Sequence, residues 1–332
     1  MKKFLYVFFF ALILVVSCTN PNGTGGKVDS STTSTPPVPR VKGPAFSCDT
    51  AFNFVKTQVD FGPRVPETKA HTACADFIVA KLKSYGITPL IQTGPATFYN
   101  GTPITLKNIF AQYHPERKER ILILAHWDSR PWADEDTVKK DEPIDGADDG
   151  ASGVGVMLEL ARILQQKDPN IGVDLFFSDA EDAGSNGDVT GRSWCLGTQY
   201  WAQNMVPKGY SANFGILLDM VGAKGAMFPR EGTSVYYASN IVEKVWSAAA
   251  GLGYGDYFTN DITGETTDDH AFVNQMARIP CIDIVHYDMQ KRKYGYFHHT
   301  HADNMSIMDC STLQMVGNVL VDVIYNEVAG GK

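Results

Sequence analysis

The sequence has no CxxC pair, and its cysteines follow no regular spacing. Cys18 stands apart at the end of an N-terminal apolar run, which leaves Cys48, Cys74, Cys195, Cys281 and Cys310. An odd, scattered set excludes both a disulfide framework and a zinc ribbon, with room for one bridge if the chain is exported. Cys48 with Cys74 is the pairing expected, because the two flank the first helical region. Cys281, in an apolar strand, reads as core. Basic charge is in deficit: 29 Lys and Arg against 37 Asp and Glu leave a net charge of −8. That balance excludes a nucleic-acid surface. The apolar run Phe4–Val16 is too short for a comfortable membrane span. No internal repeat is present.

Lys2 and Lys3 followed by that run read as an export signal over residues 1–17. Val15-Val16-Ser17-Cys18 resembles the lipobox of bacterial lipoproteins. The resemblance implies cleavage before Cys18, a lipid on its thiol and anchoring to a bacterial membrane on the periplasmic side. An ordinary signal peptide with an incidental cysteine is the alternative. Residues 18–45 are rich in Gly, Ser, Thr, Pro and Asn and read as a flexible tether. Residues 46–332 suit one large α/β domain.

Helices are expected at 49–59, 68–85, 152–166, 194–205, 240–250, 268–275 and 311–327. Strands are expected at 87–98, 105–113, 121–125, 173–178, 214–219, 234–238 and 279–285, with a turn at Asn100-Gly101. Ile121–Ala125 is short and wholly apolar, as in the centre of a parallel sheet. Strands alternating with helices give the fold class: α/β, a mostly parallel twisted sheet with helices on both faces.

The stretch Phe176–Asp182 is the most informative. An apolar strand runs straight into the adjacent acids Glu181 and Asp182. Desolvating a carboxylate is costly unless something positive compensates, and a metal ion does so. Other strands end alike: Ile121–Ala125 meets His126, Ile216–Leu218 meets Asp219, and Ile282–Val285 meets His286. In open α/β sheets ligands bind at the carboxyl ends of strands. Two loops add donors. Asp145–Gly153 holds Asp149 among glycines before a helix, although alone it reads better as a solvated turn with an Asp N-cap. Phe297–Asn304 contains His298, His299 and His301. Imidazoles beside carboxylates are what zinc selects.

From about residue 50 onward these pieces match a known pattern. The chain resembles the zinc exopeptidase-like family that contains bacterial metallo-aminopeptidases and secreted glutaminyl cyclases. Six segments carry the likeness: Ala125–Pro131, Ala147–Gly153, Phe177–Asp182, Leu217–Ala223, Asp268–His270 and His298–Asn304. The resemblance implies one catalytic zinc held by Asp149, Asp182 and His299, with a fourth position open. Glu181 matches the general acid/base. The second acid of that pair is often Glu in the family; Asp182 is one methylene shorter. In two-metal aminopeptidases a second zinc is held at positions matching His126 and Asp219, with Asp149 bridging. Single-zinc cyclases retain both residues, so the metal count stays open.

Three features resemble the cyclases. Asp268 stands where aminopeptidases commonly carry Ser, and cyclases use an acid there, coupled to the one matched by Asp219. Trp194 matches a cyclase pocket wall, and the run His126–Pro131 is cyclase-like. Against these, Ala147–Gly153 is spelled as in aminopeptidases, and His298 replaces a Trp of animal cyclases. The implied activity is conversion of an N-terminal Gln on peptides and exported proteins to pyroglutamate, with Glu181, Asp219 and Asp268 catalytic. Trp194, His298 and His126 would line the pocket. A zinc aminopeptidase and a non-catalytic, peptide-binding lipoprotein are the alternatives. His71 and His114 read as surface residues, and Asp134-Glu135-Asp136 as a solvated loop that could rim the pocket. Trp127 and Trp132 read as packing residues. His286 is a crevice or structural residue, Asp283 needs a partner if buried, and Cys310 has no evident role.

Overall fold

The computed structural model describes residues 40–327. The expected export signal, Cys18 and its lipid, and the tether up to residue 39 lie outside the described residues. Residues 40–45, the end of that tether, run along the last helix. Arg40 pairs with Asp322, and the Val41 N–H donates to Asn326 Oδ1 at 2.7 Å.

In chain order the elements are α1 (Cys48–Asp60), α2 (Lys69–Ser84), β1 (Leu90–Thr97), β2 (Pro103–Tyr113), β3 (Arg120–His126), α3 (Ala151–Leu164) and β4 (Gly172–Ser178). Then follow α4 (Leu196–Gln203), β5 (Phe214–Asp219), β6 (Phe228–Arg230), α5 (Gly232–Gly251), β7 (Phe258–Ile262), α6 (Asp269–Phe272), β8 (Cys281–Val285) and α7 (Cys310–Asn326). Six strands form one sheet in the order β1-β2-β4-β3-β5-β8. β4, β3, β5 and β8 are parallel, and the β1–β2 hairpin adds on antiparallel beside β4. The hairpin turns at Gly101, whose φ of +89° suits glycine. β3 and β4 are buried along their whole length, so both are largely apolar; the one acid inside β4, Asp174, is buried and accepts from Arg120 Nε of β3 and the Tyr210 hydroxyl, each at 2.7 Å. Ile121, Ile123 and Ala125 point into the core shared with α1, α3 and α7, while Leu122 and Leu124 face a second core with Trp201 and Tyr210. Both faces are therefore covered, and the mostly parallel α/β architecture is the one the sequence predicts.

The departures have local causes. Residues 234–238 are not a strand but the start of α5. Glu231 caps that helix, accepting from the Thr233 and Ser234 N–H groups at 2.7 and 2.6 Å. This cap overrides the strand preference of Val235-Tyr236-Tyr237, and the helix kinks at Ala238. β6 and β7 pair only with each other and are too short for a periodicity to show. The disulfide is not Cys48–Cys74 but Cys48–Cys310, with Cα atoms 5.2 Å apart. It joins the first turns of α1 and α7, so Cys310 has a structural role. Cys74 points into the core on the buried face of α2.

Candidate active site

β4, β3 and β5 are neighbours, so their carboxyl ends open on one side of the sheet. His126 ends β3 and Asp219 ends β5. After β4 the chain turns through Ala180 in a left-handed conformation and presents Glu181 and Asp182. Their backbone is fixed: Glu181 N–H and Asp182 N–H donate to the two carboxylate oxygens of Asp128 at 3.1 and 3.3 Å. Arg130 donates to the Asp182 carbonyl at 2.9 Å.

Asp149 is not the cap of α3. Gly150 holds that place at φ +95°, and a Cβ there would collide with the Asp128 carbonyl and the His126 ring. Glycine lets the chain pass, and the Asp149 carboxylate stays free for the site. Asp303 clamps the same turn, accepting from the Asp148 and Asp149 N–H groups at 2.7 and 3.1 Å.

The three expected metal ligands converge. His299 Nε2 lies 3.0 Å from Asp182 Oδ1 and 3.7 Å from Asp149 Oδ2. Asp182 Oδ2 is buried without a hydrogen-bond partner. Two carboxylates and an imidazole with an orphaned oxygen between them are a donor set that suits zinc. His126 Nε2 approaches Asp149 Oδ1 at 3.0 Å and Asp219 Oδ1 at 3.4 Å, so Asp149 is shared between the two histidines. His126 is 1% exposed. His126, Asp149 and Asp182 bring donor atoms within 4.8 Å of one another, but His126 does not line the pocket, contrary to expectation.

Next to this set, Glu181, Cys195 and Asp268 bring donor atoms within 4.8 Å of one another. Cys195 Sγ donates to Glu181 Oε1 at 3.2 Å. Burial, then the charges of Asp182 and Asp268, push the Glu181 carboxyl well above its usual range. Burial, then Asp219 and Asp269, do the same to Asp268. Asp219 is raised mainly by burial. Asp182 goes the other way: burial opposes its charge, but His299 and then Arg130 outweigh it and hold the carboxyl low.

The pocket above these groups measures about 330 Å³. Trp194 and His298 are among its lining residues. Trp194 stacks on the His299 ring at 5.9 Å and covers the Arg130 guanidinium at 4.8 Å. His298 stacks on His299 at 3.6 Å and meets Tyr294 at a tilt at 4.7 Å. Seven carboxylates line the pocket and no Lys or Arg does.

Several residues differ from their sequence reading. Asp134, Glu135 and Asp136 are not simply solvated. They face Arg130 at 2.7 Å, His298 at 3.5 Å and His301 at 2.9 Å, tying their loop to the histidine segment. His71 is buried, bonds Asp179 at 2.8 Å and stacks on Trp127 at 4.2 Å. His286 is structural: its Nδ1 accepts from the Met227 N–H at 2.9 Å. Asp283 has no hydrogen-bond partner on either carboxylate oxygen. Burial, then the nearby Asp268 and Asp219, push its carboxyl well above the usual range. Asp128 and Asp303 went without a role in the sequence. Asp128 follows His126 by two residues and Asp303 follows His299 by four, a proximity that was the available signal.

The family model of peptidase family M28 matches residues 108–324. Among solved structures, the chain is 46% identical to the glutaminyl cyclase of Bacteroides thetaiotaomicron, covering 86% of this chain and 100% of that one, with a TM-score of 0.84. It is 48% identical to the glutaminyl cyclase of Tannerella forsythia, with coverage of 86% and 100% and a TM-score of 0.83. A Zn-dependent exopeptidase from Parabacteroides distasonis gives 48%, 86%, 100% and 0.83. The chain spans 26% and 47% of the lengths of the curated relatives it matches. The M28 match covers β3, β4, β5 and every residue of the converging site, and on that ground the chain belongs to peptidase family M28.

Proposed function

We propose that the protein is a glutaminyl-peptide cyclotransferase, converting N-terminal Gln to pyroglutamate with release of ammonia. The observation that carries this reading is Asp268, a buried acid within reach of Glu181 in a pocket walled by Trp194. Similarity to two bacterial glutaminyl cyclases supports it. A single zinc ion held by Asp149, Asp182 and His299 would act as a Lewis acid on the Gln γ-carbonyl.

The chain's own residues do the rest. An acidic pocket without Lys or Arg draws in a free α-amine and tolerates an uncharged side chain. Glu181, made more basic by burial and its acidic neighbours, takes a proton from the attacking amine. It returns that proton to the departing nitrogen, so one C–N bond forms, one breaks and ammonia leaves. Asp268, backed by Asp219, accepts from the side-chain amide and orients it. Attack is intramolecular, so the site works mainly through orientation. Trp194 keeps water from the carbonyl, because hydrolysis would yield Glu instead.

We also read the chain as exported, periplasmic and anchored through a lipid on Cys18. The Cys48–Cys310 disulfide supports this, since such bridges persist in oxidising compartments.

A zinc aminopeptidase is the second reading, favoured by the sharing of Asp149 between His126 and His299. There His126 and Asp219 would hold a second zinc and Glu181 would activate water. One experiment separates the two. The zinc-loaded protein is incubated with a peptide beginning with Gln, products are read by mass spectrometry, and bound zinc is counted. Loss of ammonia with one zinc per chain supports the cyclase. Loss of the whole first residue with two zincs per chain overturns it in favour of the aminopeptidase.

A further inference from the structure

Beside the active pocket lies a second cavity of about 690 Å³, roughly twice its size. The two share Glu265, Thr266 and Thr267. This strap is firmly held. The Thr266 N–H donates to Glu231 Oε1 at 2.8 Å, Thr233 Oγ1 donates to the Thr266 carbonyl at 3.0 Å, and Gly191 packs against Thr267. Glu265 and Thr267 are exposed on its crest, whereas Glu181, Asp182, Asp268 and His299 are buried on the pocket floor.

A substrate whose first residue reaches that floor must send its chain out over the rim. One neighbouring exit, past Tyr294 and His298, leads to a space of only about 120 Å³. His298 and Tyr294, in tilted contact at 4.7 Å, stand on that side, with Glu135 3.5 Å from His298. The exit over the strap opens on the larger cavity. Its far side carries Tyr236 and Tyr237 of α5, 75% and 42% exposed and packed edge to face at 4.8 Å. Phe272 and Met276 add apolar floor, and Arg192 is its one cation.

We propose that this cavity binds the substrate chain beyond its first residue, and that it favours peptides with an aromatic or large apolar side chain and an acid close behind the N-terminus. The tyrosines supply broad apolar faces for the former, and Arg192 pairs with the latter. Glu265 at the crossing disfavours an acid directly after the first residue. The inference rests on the reading that the pocket takes the N-terminal residue of a peptide, and it adds which peptides are taken.

The test compares Gln-Ala-amide with Gln-Ala-Phe-Glu-Ala as substrates of wild type, Tyr236→Ala and Arg192→Glu. For wild type the pentapeptide is expected to have a KM about tenfold lower, the scale of burying one aromatic side chain. Either substitution removes most of that advantage by raising the pentapeptide KM, with kcat held and the dipeptide amide unaffected. Equal effects on both substrates, or none, overturn the proposal. Fluorescence anisotropy of the labelled pentapeptide provides a readout that does not need turnover. If wild type converts neither peptide, the cyclase reading fails. The cavity assignment then stands on weaker pentapeptide binding by the two variants, and falls if all three proteins bind alike.

Discussion

Breaking the Cys48–Cys310 bridge should cost the fold several kilocalories per mole while leaving the pocket intact. The bridge closes a loop with a sequence separation of 262, joining α1 to α7. A chain-entropy estimate for so long a loop is about 5 kcal/mol, against a usual range of about 2–4. No proposed site residue lies on α1 or α7, so the loss falls on stability alone. With a urea slope of about 3 kcal/mol per M, the midpoint should drop by about 1 M or more. The assay is urea unfolding of the oxidised protein against a Cys48→Ala, Cys310→Ala double variant, with turnover measured at low urea. Thiol titration adds a check. Cys74, Cys195 and Cys281 are buried, and burial pushes the Cys74 thiol up to about 12, so these three react only after unfolding. An unchanged midpoint, or a mapped Cys48–Cys74 linkage, would refute the reasoning.

Further outcomes are expected. Glu181→Gln should lower kcat by about 10²–10⁴-fold with zinc content unchanged by elemental analysis; near-normal turnover removes Glu181 from its role. Asp134 is the carboxylate nearest His299 Nδ1, at 3.9 Å, and that nitrogen has no hydrogen-bond partner. Asp134→Asn should therefore weaken zinc binding by about tenfold in a chelator competition, and equal affinity would show that Asp134 does not orient the ligand. Against the cost of burial, His270 and the start of α5 hold the Glu231 carboxyl down at about 2. A lowered folded pKa stabilises above the unfolded value and is lost as pH falls. The stability gap between wild type and Glu231→Gln should be full above about pH 4.5 and shrink toward pH 2, by up to about 3 kcal/mol. A gap that stays constant in urea melts across that range would mean that Glu231 acts only through shape.

What the sequence revealed depended on the length scale of each cause. β3, β4 and β5 were readable because burial on both faces leaves them mostly apolar, with the buried Asp174–Arg120 pair the exception, and the acids at their ends stand out. Asp149, Asp182 and His299 could be singled out because each sits in a short segment with a recognisable spelling, and the fold brings the three together. The disulfide was not readable, because its partners stand 262 residues apart in sequence and meet only through the packing of α1 on α7. The same holds for His71, whose surface reading failed because Asp179 reaches it from the end of another element. The start of α5 was misread because Val235-Tyr236-Tyr237 favours a strand, while the deciding cap is a glutamate whose carboxylate also serves His270 and Thr266. Local preference lost there to a network assembled from distant segments.

That pattern bears on how the site is built. The carboxylates meeting at the strand ends are individually costly, and burial drives Glu181, Asp219 and Asp268 toward the neutral form. Asp182 escapes because His299 and Arg130 lie against it. On the proposed function, the acid that would hold a metal is the one given positive partners, and the acids that would exchange or share protons are given one another. Both outcomes follow from the sheet order, which sets β4 between the hairpin and β3 and thereby brings Glu181 and Asp182 beside His126 and, one strand further, Asp219. Loops then finish the selection. Asp128 and Asp303 fix the backbones that present Asp182 and Asp149, so the sheet supplies proximity and the buried second layer of acids supplies aim.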